Sequence, residues 1–320
     1  MRAVQVSEFG GSDVLRVVDL PVPVPEPGRR VLVRVHRAGV NFADVHIREG
    51  NYIADTPLPY VLGSEVVGTR DSDGRRVLAL TQRGGGYAEY ALAPARTTFE
   101  VPEGIEDGSA LALGVQGNTA WHILHTSARL QPRESVAVFA AAGGVGTLAI
   151  QLARVAGADR IVAAASTPAK REAALKLGAD AAVDSSAVDH LTEQLIEANG
   201  GRRLDVILEM AGGTVAQAAS DALADFGRLV LFGFASGRTA TVETRGIMLD
   251  NKSLIGFVLP KLYSRRDMVD HSMRELWRAT LSGAITPHIG GEYPLGEAHR
   301  AHEDLQGRRT TGKLVLDPMS

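Results

Sequence analysis

Ala141-Ala142-Gly143-Gly144-Val145-Gly146 lies between an apolar run, Val136-Ala137-Val138-Phe139, and a helical pattern with Leu148, Leu152 and Val155 on one face. The segment is a dinucleotide fingerprint with Ala in place of the first glycine. Gly143 lets the backbone approach a pyrophosphate, and Gly146 lets a helix pack closely on a strand. Ala142, Gly144 and Val145 complete a turn whose helix start offers N–H groups and a partial positive charge to phosphate. About 20 residues on, the next strand ends in Ala165-Ser166-Thr167-Pro168-Ala169-Lys170-Arg171. A chain that holds NAD places an acid at that strand end to accept from the ribose 2′-hydroxyl. Here there is no acid; hydroxyls and two cations follow instead. Ser166, Lys170 and Arg171 suit a 2′-phosphate, since Lys and Arg make charge-assisted bonds to it. NADPH is the expected cofactor, against the alternative that Lys170 and Arg171 form a solvated helix face.

These residues need a scaffold, and the pattern supplies one. From about residue 134, apolar strand runs alternate with helical patterns: Ile161-Val162-Ala163-Ala164, helix 168–177 closed by Gly178, Val183, helix 188–198, Leu204 to Leu208, a helix from Thr214, then Leu229-Val230-Leu231-Phe232. Strand–helix alternation with short links reads as a parallel sheet covered on both faces. Residues 1–118 have a different texture, with short β runs such as Val31-Leu32-Val33-Arg34-Val35 and Arg76-Val77-Leu78-Ala79-Leu80, punctuated by Pro and Gly. The proline-rich stretch 21–27 can be neither helix nor central strand and reads as an extended connector. The expected organisation is α/β: a doubly wound parallel sheet over 119–259, and a mainly β catalytic domain from 1–118 with 260–320.

Composition bounds the chemistry. The chain has 320 residues, 45% hydrophobic and 22% charged, with a net charge of −3. Such a balance offers no broad basic surface for nucleic acid. Its apolar runs fall short of the roughly 18–20 residues that span a bilayer. The N-terminus opens on a strand pattern rather than a signal peptide, so a cytoplasmic location is expected. There is no cysteine, which excludes disulfides, thiolate zinc sites and a cysteine nucleophile.

With the fingerprint placed, Ala38-Gly39-Val40-Asn41-Phe42-Ala43-Asp44, Gly63-Ser64-Glu65, Gly117-Asn118-Thr119-Ala120, Ala140 to Gly146 and Gly312-Lys313-Leu314-Val315-Leu316 become informative. Together they resemble the medium-chain dehydrogenase/reductase superfamily, in its zinc-independent quinone oxidoreductase branch. The resemblance covers nearly the whole chain. It implies a Rossmann domain joined to a GroES-like catalytic domain. Alcohol dehydrogenases of that superfamily hold catalytic zinc with a Cys near the position of Asn41 and a His where Ser64 stands. This chain carries neither, and no metal is expected. Without a Lewis acid, reducing an already activated acceptor is easier than oxidising an alcohol.

The resemblance also implies roles. Asn41 lies near the nicotinamide and Tyr52 lines the substrate pocket, both able to donate to a carbonyl oxygen. Thr119 lies near the nicotinamide ring; Phe232, Gly233 and Phe234 contact that half of the cofactor. Ser185 stands where some relatives use Tyr on the 2′-phosphate, and Arg308 resembles a position that reaches the same phosphate. His46 replaces a Tyr usual in the family, and is either a donor to the developing oxyanion or a solvated loop residue. Asp44 is expected to bond its own loop. The apolar run Ser253-Leu254-Ile255-Gly256-Phe257-Val258 reads as the last strand of the cofactor sheet. Relatives form homodimers through this edge, so a homodimer is expected.

The expected activity is NADPH-dependent reduction of a small quinone. An enoyl reductase acting on an enone or thioester, as in polyketide synthases, shares the same hydride geometry. A non-catalytic NADPH-binding protein is a third reading, which Asn41 and Tyr52 argue against.

Overall fold

A buried parallel strand needs apolar residues on both faces, and Ser135–Phe139 is buried at every position. The computed structural model describes residues 1–26, 28–52 and 55–320; Pro27, the last residue of the proline-rich connector, lies outside them. The chain forms two units: Met1–Val115 with Leu262–Leu281 and Pro287–Ser320, and Gln116–Lys261 with Ser282–Thr286. That last short excursion has no counterpart in the sequence pattern.

In the second unit six strands pair in the order Ala181–Asp184, Arg160–Ala165, Ser135–Phe139, Leu204–Glu209, Leu223–Leu231 and Ser253–Gly256. Every pairing is parallel. The chain enters mid-sheet at Ser135–Phe139, steps outward to one edge, then returns to build the other half. That is the Rossmann order, and its reversal opens a crevice at the carboxyl ends of Ser135–Phe139 and Leu204–Glu209. Ala137, Phe139, Val162, Ala164, Leu191, Leu195, Ile207 and Leu223 form one buried cluster. Each large aliphatic or aromatic member contributes about 1.5–3 kcal/mol by leaving water. Helix Gly144–Val155 buries Leu148 and Leu152. Val155, expected on the same face and the last residue of the helix, is instead 53% exposed.

In the first unit Arg30–Val40 is the hub strand. Its first half pairs with Tyr90–Pro94, and further along it meets Glu65–Arg70 and Lys313–Asp317, all antiparallel. The register sets Val40 opposite Leu314 and Ala38 opposite Val66. Asn41, Lys313 and Glu65 each adjoin one of these paired positions, so three distant segments deliver polar side chains to one place. Beneath them lies an apolar core that includes Val33, Val35, Leu62, Val77, Leu314 and Leu316.

Candidate active site

The convergence of strand ends in the first unit creates a buried polar cluster. Glu65 and Lys313 are fully buried and form an ion pair. Asn41, 5% exposed, sits between them: its Nδ2 donates to Glu65 Oε1 at 2.8 Å, and its Oδ1 accepts from Lys313 Nζ at 3.0 Å. The second Glu65 oxygen accepts the Val115 N–H at 2.6 Å. Two charges are tolerable here because each has its opposite and further hydrogen bonds. Gly39 makes the room, since a Cβ there would lie 2.5 Å from Glu65 Oε1 and 2.8 Å from Lys313 Nζ. Expected as a donor to a carbonyl oxygen, Asn41 instead directs its amide hydrogens at Glu65 and, at 3.4 Å, Ser64 Oγ. These bonds tie the Asn41 side chain to Ser64, Glu65 and Lys313.

Asn41 also caps the helix Phe42–Arg48. Asp44, in the first turn, accepts the Asn41 backbone N–H at 2.8 Å and the Tyr87 hydroxyl at 3.1 Å, both on Oδ2. This matches the loop-bonding role read from the sequence. Asp44 is wholly buried, and burial pushes its carboxyl up to about 7, against the opposing pull of the Asn41 N–H and Lys313. Tyr87 Oη lies 3.1 Å from His302 Nε2, and His302 Nδ1 lies 3.4 Å from the Arg48 guanidinium.

His46, on the same helix, is half-buried with its ring edge-on to Phe42. Burial lowers its pKa, which Glu49 partly opposes. Tyr52 packs on the apolar core, and its phenol is pushed up by burial and then by the Asp44 charge. Tyr60 is pushed up to about 12 for the same reasons, with Tyr52 adding to them. Burial also raises Tyr263, followed by Glu65 and Tyr52. The Asp44 charge thus acts on Tyr52 and Tyr60, and that of Glu65 on Tyr263, while the Tyr87 hydroxyl is the phenol that bonds Asp44 directly.

In the second unit the fingerprint falls between strand Ser135–Phe139 and helix Gly144–Val155, with Gly143 as the N-cap. The first intrahelical bond runs from the Thr147 N–H to Gly143 O at 2.9 Å. The N–H groups of Gly144, Val145 and Gly146 precede it, at the positive end of the helix. A Cβ on Gly146 would overlap Ala140 O and lie 2.7 Å from Ala141 Cα, so helix and strand meet only through glycine. A Cβ on Gly144 would overlap the Gln116 side chain. Ala142 is buried at the turn. A turn stripped of side chains at a helix N-terminus fits a dinucleotide pyrophosphate.

At the neighbouring strand end, Ser166 follows Ala165, and the Thr167 hydroxyl caps helix Pro168–Lys176 by accepting from the Lys170 N–H. Lys170 therefore stands in the first turn of that helix. Arg171 departs from expectation. Its guanidinium donates to Ala165 O at 3.1 Å and pairs with Asp184 at 3.2 Å, tying helix to sheet. The Ser185 N–H donates to the same Ala165 carbonyl. On the other side of the crevice, Glu209 is buried and accepts the backbone N–H groups of Ala211 and Gly212. Burial raises its pKa, against those backbone bonds. The held loop meets the next one: the Phe232 N–H donates to Glu209 O and the Ala235 N–H to Met210 O, which fixes Gly233 and Phe234. Thr119 is buried in helix Asn118–His122 of this unit. Arg308 is exposed and belongs to the first unit, with a left-handed backbone at φ 54.

In the sequence, Gly63-Ser64-Glu65 and Gly312-Lys313 are family markers that assign Glu65 and Lys313 no role. The available signal is a charge at the first residue of each strand, directly before an apolar run, Val66-Val67 and Leu314-Val315-Leu316. Tyr87, His302 and Arg48 carried no local signal. The donor set around Asn41 and Ser64 does not fit zinc, because the Lys313 ammonium already occupies Asn41 Oδ1 and Glu65 Oε1. Among the described residues no group of three His, Cys, Asp or Glu could hold a metal ion, and no helix is long and apolar enough to cross a membrane.

Residues 27–103 match the family model of the alcohol dehydrogenase GroES-like domain, and residues 144–278 that of zinc-binding dehydrogenase. Human quinone oxidoreductase is 34% identical over 327 residues, spanning 99% of this chain and 97% of that protein. A mycobacterial protein solved in complex with NADPH has a TM-score of 0.93 at 34% identity, covering 99% of this chain and 100% of that one. Escherichia coli quinone oxidoreductase, also solved with NADPH, has a TM-score of 0.93 at 28% identity, with the same coverage.

Proposed function

This chain belongs to the quinone oxidoreductase branch of the medium-chain dehydrogenase/reductase superfamily, and from that premise we propose that it is an oxidoreductase reducing a small quinone with NADPH, without metal. One observation carries the reading most directly. The strand ending at Ala165 presents Ser166 and then Lys170 in the next helix turn, with no acid between them. That supports a 2′-phosphate over a free 2′-hydroxyl.

Ala142, Gly143, Gly144, Val145 and Gly146 hold the pyrophosphate at the helix start. Ser166 and Lys170 take the 2′-phosphate, with Arg308 as a further cation and Ser185 on the same rim. Arg171 shapes that rim through Ala165 and Asp184 rather than gripping phosphate. Thr119, Phe232, Gly233 and Phe234 orient the nicotinamide half, supported by the loop bonds to Glu209. When bound, NADPH supplies the hydride. Tyr52 and His46 are the donors that stabilise the oxygen of the acceptor as negative charge develops, and Tyr52 supplies its proton. Asn41 caps the helix that carries His46 and lies near the nicotinamide.

The acceptor is tested by anaerobic NADPH oxidation with quinones, enones and enoyl thioesters side by side. Fastest turnover with quinones supports the reading. Fastest turnover with thioesters reassigns the chain as an enoyl reductase, and tight NADPH binding with no turnover identifies a binding protein. The edge strand Ser253–Gly256, with Leu254 exposed, supports a homodimer. Light scattering at two concentrations tests it.

A further inference from the structure

Asp44 is tied into a chain of hydrogen bonds whose direction can be worked out. A guanidinium has only donors, so Arg48 Nη1 donates to His302 Nδ1. His302 is neutral, because burial and then Arg48 lower its pKa to about 3. Its one proton therefore sits on Nε2 and points at Tyr87 Oη. With that oxygen accepting from His302, the Tyr87 O–H must donate to Asp44 Oδ2. Oδ2 also receives the Asn41 N–H and is fully committed as an acceptor. Asp44 Oδ1 has no hydrogen-bond partner and is buried. A proton on Asp44 can therefore reside only on Oδ1. Arg48 anchors the far end of the chain through Gly10 O, Glu49 and Gln306.

We propose that Asp44 is a positioning residue of the reaction: it keeps its proton on Oδ1, and its charge state sets how readily Tyr52 yields a proton to the reduced acceptor. The charge of Asp44 acts on the phenols of Tyr52, Tyr60 and Tyr87. When Asp44 is neutral, Tyr52 is the better acid. When Asp44 ionises, its negative charge holds the Tyr52 proton back. No bond to Asp44 is made or broken during turnover: the hydride carries two electrons to the acceptor, the proton leaves Tyr52 Oη for the acceptor oxygen, and solvent restores the phenol. The other groups acting on Asp44 are Lys313, which favours its ionised form, and Glu65, which opposes it. His46 shares its helix but has a pKa lowered below the usual value and so titrates at lower pH.

The proposal rests on the reductase reading, so one measurement omits turnover. Difference infrared spectra of the apo protein between pH 6 and 8.5 should show a protonated-carboxyl band lost with rising pH, and this band should be missing in Asp44→Asn. Absence of such a band in the unsubstituted protein overturns the proposal whatever the acceptor. In turnover, kcat/KM for the acceptor should fall roughly three- to tenfold across that range as Asp44 ionises, whereas the pH profile of Asp44→Asn, at whatever absolute level, should vary by no more than about twofold over the same range. Tyr87→Phe removes a donor to Oδ2, destabilises the carboxylate and should move the falling limb to higher pH. If both variants instead lose activity by one factor at every pH, with the shape of the profile unchanged, Asp44 only holds the loop and the proposal fails.

Discussion

In the second unit, Gly143, Gly144 and Gly146 make a tight turn at a helix start by leaving out side chains that would overlap Ala140, Ala141 and Gln116, which suits a ligand held by main-chain N–H groups. In the first unit, Asn41, Asp44, Glu65, Tyr87, His302 and Lys313 instead fill a buried space with polar groups that pair with one another, Asp44 Oδ1 alone of the Asp44 oxygens being left without a hydrogen bond. The first kind depends on room, and its chemistry is carried by the main chain. The second depends on pairing, and each member is expensive to remove alone because its partner stays behind in a medium of low polarity. The two should therefore fail differently under substitution. A glycine change should damage binding locally, whereas a change in the cluster should damage the unit.

The largest effect is expected at Lys313. Lys313→Met leaves Glu65 buried without its cation and should cost about 3–5 kcal/mol in denaturant unfolding. Adding Glu65→Gln removes the stranded charge and should restore much of that loss. A single variant as stable as the parent would mean that the cluster is not what organises the first unit.

Gly146→Ala comes next. Its Cβ would press on Ala140 and Ala141, an overpacking worth about 1–3 kcal/mol, and the displaced helix start should raise the NADPH dissociation constant by about tenfold or more. Fluorescence titration measures the binding loss. Unchanged affinity would contradict the assignment of this turn to the pyrophosphate.

The smallest effect sharpens the cofactor reading. Lys170→Ala should weaken NADPH by about tenfold while leaving NADH within about twofold, since only the 2′-phosphate loses a partner. Equal weakening of both would place Lys170 elsewhere. Arg171→Ala should discriminate less, because that side chain is held by Ala165 and Asp184.

The same contrast explains what could be read from the sequence. The glycine turn lies within one strand–turn–helix unit, and every residue that makes it is adjacent in the chain. Its fold context, the missing acid at Ala165-Ser166 and the strand alternation that builds the Rossmann sheet were all legible. The polar cluster joins residues 24 and 272 positions apart, at Asn41–Glu65 and Asn41–Lys313. Such pairings follow from strand register, which no local pattern declares. The type of Asn41 could be read from the chain, but the direction of its amide depended on Glu65 and Lys313. Arg171 illustrates the reverse: its type suited phosphate, while Asp184, one strand over, had already engaged it.

The central claim is that this chain transfers hydride from NADPH to a quinone, and anaerobic stopped-flow mixing of the enzyme with a quinone and either NADPH or NADH tests it most directly. The expected result is one NADPH consumed per quinone reduced, with kcat/KM for NADPH at least about tenfold above that for NADH. Equal or faster oxidation of NADH, or no quinone reduction by an enzyme saturated with NADPH, would contradict it.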